Sequence, residues 1–137
     1  MKSYFVDTWF WIALVNPKDE YHADAEGLSD ELGDTATLVT SEMVFGELLA
    51  FFSREGEFLR KAAFELVSEL KELPNVTVVP QTHEQFEIAL ARYGKFADKA
   101  WSLTDCASMV LMTEQKIFTA ITRDNHFRQA GFTIRSA

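Results

Sequence analysis

The sequence predicts a three-layer α/β/α sandwich, with a mainly parallel sheet of about five strands, as a single domain over residues 1–137. Three observations lead there. Short runs rich in β-branched and aromatic residues alternate with longer helical segments, the pattern of strand–helix–strand units whose strands lie side by side in parallel. The run Ile117 to Thr122 reads as a strand covered on both faces, since it offers no polar alternation. A chain of 137 residues is long enough to bury a hydrophobic core without disulfides, and its one cysteine excludes an internal disulfide.

Taken in order, Tyr4-Phe5-Val6 is a short buried strand with Asp7 at its end. The segment Trp9 to Leu14 is helix-like and closes at Asn16-Pro17, because the residue before a proline is pushed out of the helical region. Trp9 and Trp11 suit core or interface positions. Tyr21, Ala25, Leu28 and Leu32 recur at helical spacing with acids on the opposite face, and Gly33-Asp34 ends that surface helix. His22 lies within it with no second His or Cys at ligand spacing, so it is assigned no role.

Ala36 to Val39 is the second strand, followed by a Thr40 or Ser41 cap and a helix from Glu42 to Phe52. Met43, Val44, Leu48 and Phe51 define its apolar face, and Glu47 is expected on that same face. A long amphipathic helix runs from Glu57 to Leu73 with Leu59, Ala62, Ala63, Leu66, Val67 and Leu70 inward, stopped by Pro74-Asn75. Val76 to Val79 is the third strand. The Thr82-His83-Glu84-Gln85 capping box opens a helix carrying Phe86, Ala89, Leu90 and Tyr93, which Gly94 ends. Ser102 caps an apolar helix from Leu103 to Met112, the strand Ile117 to Thr122 follows, and Gly131 to Ile134 forms a last edge strand.

Composition bounds the function. The formal net charge of −8 argues against indiscriminate polyanion binding, although a bound cation would neutralise any cluster of carboxylates. Cys106 lies among apolar neighbours as a small buried residue, which suits a reducing cytoplasm. The apolar run Trp9 to Val15 is far short of the roughly 20 residues that span a bilayer, so neither a membrane segment nor a signal peptide is expected.

Four acids need a joint account. Asp7 and Asp124 follow strands, at the carboxyl edge where ligands gather in parallel sheets. Asp105 sits at a helix start, where Ser102-x-x-Asp105 also fits a capping box, and Asp7 and Asp124 equally suit a cap and a polar loop. Glu47 has no Lys or Arg three or four residues away, so its charge requires a distant basic side chain, a raised pKa or a hard cation such as Mg²⁺ or Mn²⁺. Arg92, Lys95, Lys99 and Arg123 are the nearest basic residues in sequence, available to substrate phosphates.

The blocks FVDTWFWIAL, TSEMVFGELLA, SLTDCASMVLM and ITRDNHF resemble, in order and spacing, the four acidic blocks of the PIN-domain nucleases. The resemblance implies that Asp7, Glu47, Asp105 and Asp124 are metal-binding catalytic acids, with Thr8, Thr104 and Asn125 as neighbours. It further implies a Mg²⁺- or Mn²⁺-dependent endoribonuclease, often a homodimeric bacterial toxin with a protein antitoxin. Two other classes are weighed against it. A phosphoaccepting-aspartate hydrolase of the haloacid-dehalogenase type requires a second Asp where Trp9 stands. A degenerate PIN-like domain kept for protein binding is disfavoured because all four acids are present.

Overall fold

The computed structural model describes residues 2–136. Its strands are β1 (Ser3–Val6), β2 (Thr37–Ser41), β3 (Val76–Val79), β4 (Thr119–Ile121) and β5 (Thr133–Arg135), joined in a five-stranded sheet of order β3-β2-β1-β4-β5. Every pairing is parallel, with Phe5 opposite Val39 on one side and Ala120 on the other. The helices are α1 (Thr8–Val15), α2 (His22–Leu32), α3 (Glu42–Phe52), α4 (Glu57–Leu70), α5 (His83–Lys95), α6 (Leu103–Gln115) and α7 (His126–Gln129). This is the three-layer α/β/α architecture expected from the alternation of elements.

The strand order decides where the helices go. From β1 the chain moves outward to β2 and β3, then crosses back past β1 to β4 and β5. Right-handed crossovers in opposite directions put their helices on opposite faces of the sheet. The packing agrees: α1 touches α2, α3 and α4, α5 packs on α6 and α6 on α7, and the two groups meet where α3 touches α6. The reversal falls between β1 and β4, and it is there that a crevice opens at the carboxyl edge.

The core is the buried set expected of a sheet covered on both faces, including Phe5, Val6, Phe10, Leu48, Met109, Met112, Ile121 and Phe127. Trp11 belongs to it, fully buried, with its indole N–H directed at the Thr40 hydroxyl at 3.4 Å. It therefore offers no surface to a partner. No helix among the described residues is long and apolar enough to cross a membrane.

Local chemistry explains most boundaries. Ser41 caps α3 by accepting from the Val44 N–H at 3.1 Å. Thr82 and Gln85 close a reciprocal capping box on α5, and Ser102 and Asp105 close another on α6. The helix that ends near Met112 by composition runs to Gln115, where Lys116 takes a left-handed conformation (φ 57°) and the Ile117 N–H reaches back to the Met112 carbonyl at 2.9 Å. That turn consumes the first residues of the expected strand, so β4 spans only Thr119–Ile121. Gly94 does not stop α5, which continues to Lys95. The long helix α4 stops at Leu70 rather than Leu73, and α7, a single turn after β4, has no counterpart in the sequence reading.

Candidate active site

Asp7, Glu47, Asp105 and Asp124 all line one crevice above the β1–β4 boundary, together with Thr8, Ser102 and His126. Four separate elements or their ends supply the acids. Asp7 is the residue between β1 and α1, Glu47 lies in the middle of α3, Asp105 in the first turn of α6, and Asp124 in the loop after β4. Trp9, Ile12, Ala50 and Phe51 form an apolar wall beside them.

Asp7 is the most enclosed acid, 6 % exposed. It makes no side-chain capping bond to α1. Its Oδ2 instead accepts from the fully buried Thr122 hydroxyl at 2.9 Å. Burial pushes its pKa up to about 7; the Thr8 backbone N–H and the Thr122 hydroxyl oppose this, and the charges of Asp105 and Glu47 add to it. No Lys or Arg contacts it among the described residues.

Asp105 is equally buried, and its Oδ2 serves two groups at once. It accepts from the Ser102 N–H at 3.0 Å, completing the capping box, and lies 2.8 Å from His126 Nδ1. The helix-capping role and the place in the crevice therefore coexist in one carboxylate. Asp124 accepts the His126 backbone N–H on Oδ1 at 2.9 Å, while its Oδ2 lies 3.0 Å from the same Nδ1. Because the hydrogen-bonded partner is a carboxylate, Nδ1 carries the proton and donates to Asp105, with the Asp124 oxygen alongside.

Glu47 departs from its expected setting. The buried side of α3 carries Val44, Phe45, Leu48 and Phe52, so Glu47 and Phe51 lie one stripe away from the core, both exposed. Glu47 is thus not a buried charge, and water compensates it without a distant basic side chain or a cation. Its Oε1 accepts from the Thr8 hydroxyl at 2.5 Å, which joins α3 to the start of α1. The costly buried carboxylate of this site is Asp7.

The remaining expected neighbours divide. Thr8 is in the crevice, but Thr104 and Asn125 are not among its lining residues, and the Asn125 Oδ1 accepts from Arg128 at 3.2 Å. The basic residues also stand outside the lining. Arg92 stacks on Phe96 and Trp101, Lys95 lies over Phe96, and Lys99 pairs with Asp98 at 3.5 Å. Arg123 lies 3.7 Å from the Tyr21 ring centre and pairs with Asp24.

Two residues of the site escaped sequence reasoning. His126 was indistinguishable from a loop histidine, and Thr122 from the end of a strand. The available signal was the i, i+2 spacing Thr122, Asp124, His126, which in a turn lets each residue bond the next but one.

The donor set of carboxylate oxygens and an imidazole nitrogen, with Asp7 buried and lacking a cationic partner among the described residues, fits a divalent cation. Asp105, Asp124 and His126 each present a donor atom within 4.8 Å of the others. A doubly wound parallel sheet with an acidic, cation-suited centre at its switch point defines the class of protein. Residues 4–133 match the PIN domain, and the chain belongs to that family. It is 31% identical over 130 residues to the "23S rRNA-specific endonuclease VapC20" of two Mycobacterium tuberculosis strains, covering 93% of this chain and 94% of the relative. The crystal structure of M. tuberculosis VapC20, a sarcin-ricin-loop-cleaving toxin, superposes with a TM-score of 0.84 at 27% identity over 97% of this chain and 98% of that one. FitAcB of Neisseria gonorrhoeae (TM-score 0.66, 18% identity, 95% and 94% covered) and VapBC2 of Rickettsia felis (0.68, 12%, 97% of each) share the fold.

Proposed function

We propose that this protein is a divalent-cation-dependent endoribonuclease, the toxin of a bacterial toxin–antitoxin pair. The observation that carries the reading is the meeting of Asp7, Glu47, Asp105 and Asp124 in one crevice whose lining contains no Lys or Arg. Its support from likeness is the 31% identity to a relative named for cleaving 23S rRNA, whose crystal structure is described as a toxin's.

A divalent cation bound there, Mg²⁺ or Mn²⁺, would supply an activated water and neutralise phosphate charge. The protein's own part is to hold and orient. Thr122 and the Thr8 backbone N–H fix Asp7, Thr8 Oγ1 fixes Glu47, and Ser102 fixes Asp105. The wall of Trp9, Ile12, Ala50 and Phe51 excludes water from one side and offers apolar surface to an unstacked base beside the scissile phosphate. Flanking phosphates fall to Lys95 and Lys99, on the segment leading to the Ala100 and Ser102 rim.

The free, buried Cys106 suits the cytoplasm, where such an enzyme would meet RNA. An antitoxin protein is the expected inhibitor, and the exposed Phe58 and Phe64 of α4 are the expected seat of a homodimer. A non-catalytic, protein-binding role would not require all four carboxylates to share one crevice.

The deciding experiment incubates purified protein with labelled single-stranded RNA and Mn²⁺ or Mg²⁺, with Asp105→Asn alongside. Wild type is expected to cut and to stop when EDTA is added. Asn keeps part of the cap, so the variant should lose about 1 kcal/mol of stability or less while losing cleavage. Wild-type cutting by the variant would leave Asp105 as a helix cap and overturn the reading.

A further inference from the structure

We infer that His126 is a nitrogen ligand of the cation site, forming with Asp105 and Asp124 a mixed oxygen–nitrogen set that favours Mn²⁺ over Mg²⁺. The inference rests on reading the crevice as a divalent-cation site. Nδ1 of His126 lies 2.8 Å from Asp105 Oδ2 and 3.0 Å from Asp124 Oδ2. Adjacent ligands of an octahedral ion with bonds of about 2.1 Å lie about 3 Å apart, so these separations are also those of neighbouring corners around one ion.

The ring is held in that place independently of any ion. The His126 backbone N–H donates to Asp124 Oδ1 at 2.9 Å, and the Asp124 N–H donates to Thr122 Oγ1 at 3.0 Å. These bonds fix the loop between β4 and α7, and α7 begins at His126 itself. In the cation-free chain the Nδ1–H group donates to Asp105 with the Asp124 oxygen beside it, and so relieves the repulsion between the two carboxylates. When a cation enters, the neutral ring carries its proton on Nε2, and the Nδ1 lone pair faces the point that the hydrogen occupied.

The chemical consequence is selectivity. Mg²⁺ takes oxygen ligands and keeps its waters, whereas an imidazole nitrogen is a better donor to a first-row transition ion. The three donor atoms lie within 4.8 Å of one another, and one of them is nitrogen.

Pulsed electron paramagnetic resonance on Mn²⁺ bound to the whole protein reads the nitrogen directly, without RNA. Wild type is expected to show electron-spin-echo modulation from a directly bound ¹⁴N, absent in His126→Ala and in His126→Gln, which keeps a polar group in place of the ring. Calorimetry should show Mn²⁺ affinity falling by roughly tenfold or more in both variants, with Mg²⁺ affinity changing by about twofold or less. Folding of each variant is checked by circular dichroism. Bound Mn²⁺ with no nitrogen coupling in wild type would overturn the assignment while leaving the nuclease reading intact. Failure of wild type to bind Mn²⁺ at all would overturn both.

Discussion

Thr122 Oγ1 donates to Asp7 Oδ2 at 2.9 Å, across 115 residues of sequence, while accepting the Asp124 N–H at 3.0 Å. One buried hydroxyl thus couples the acid that ends β1 to the loop that carries a second acid after β4. Replacing it by valine leaves the Asp124 N–H without that partner and removes a donor from Asp7, which costs about 1–3 kcal/mol. Thr122→Val should therefore unfold at lower denaturant concentration, and it should push the Asp7 pKa further up. Cation titrations across pH should then show binding displaced to higher pH, and Thr122→Ser should restore it.

Asp7 makes the cation-free protein less stable as pH rises. Its folded pKa is about 7 and its ordinary value is 3.8, so the folded state binds the extra proton between those values. Below about pH 4 both states are protonated and the group costs nothing. The cost grows from pH 4 to pH 7 and is constant above, with an upper bound on the order of 4 kcal/mol. Denaturation of metal-free protein from pH 4 to 8 should show this decline. Asp7→Asn should flatten it and raise stability at pH 8, while abolishing cation binding.

For Glu47 the expected effect is on affinity rather than on folding. The side chain is exposed and its partner is the Thr8 hydroxyl, so Glu47→Gln should leave the fold intact. Calorimetric titration of Mn²⁺ is expected to show weakened binding from the loss of one anionic oxygen. Unchanged affinity in a folded variant would remove Glu47 from the ligand set.

Phe58 and Phe64 are 76 % and 64 % exposed on α4, two large apolar rings left to solvent. Light scattering at micromolar concentration should report a species of twice the 15.6 kDa chain mass. Phe58→Glu with Phe64→Glu should return it to a monomer at little cost in stability, since neither ring is buried.

The sheet and its order of elements were legible because strand composition and helical periodicity are local properties. The two capping boxes were legible for the same reason: Thr82 with Gln85, and Ser102 with Asp105, act over three residues. The rotation of α3 was not. Spacing places Glu47 beside Val44 and Phe51, but which stripe meets the core depends on how α3 packs against α1, α4 and α6. Trp11 was equally ambiguous until Thr40 supplied a partner for its indole. His126 and Thr122 also take partners 21 and 115 positions away, which no local spacing shows.

The pairing of β1 with β4 brings Phe5 beside Ala120. During synthesis this means that Asp7 leaves the ribosome more than a hundred residues before the strand that completes its surroundings. A growing chain can form β1, β2 and β3 and still lack the Thr122 hydroxyl, Asp124 and His126. The acids meet only when β4 docks, so translation itself keeps the crevice unbuilt until that strand has been made.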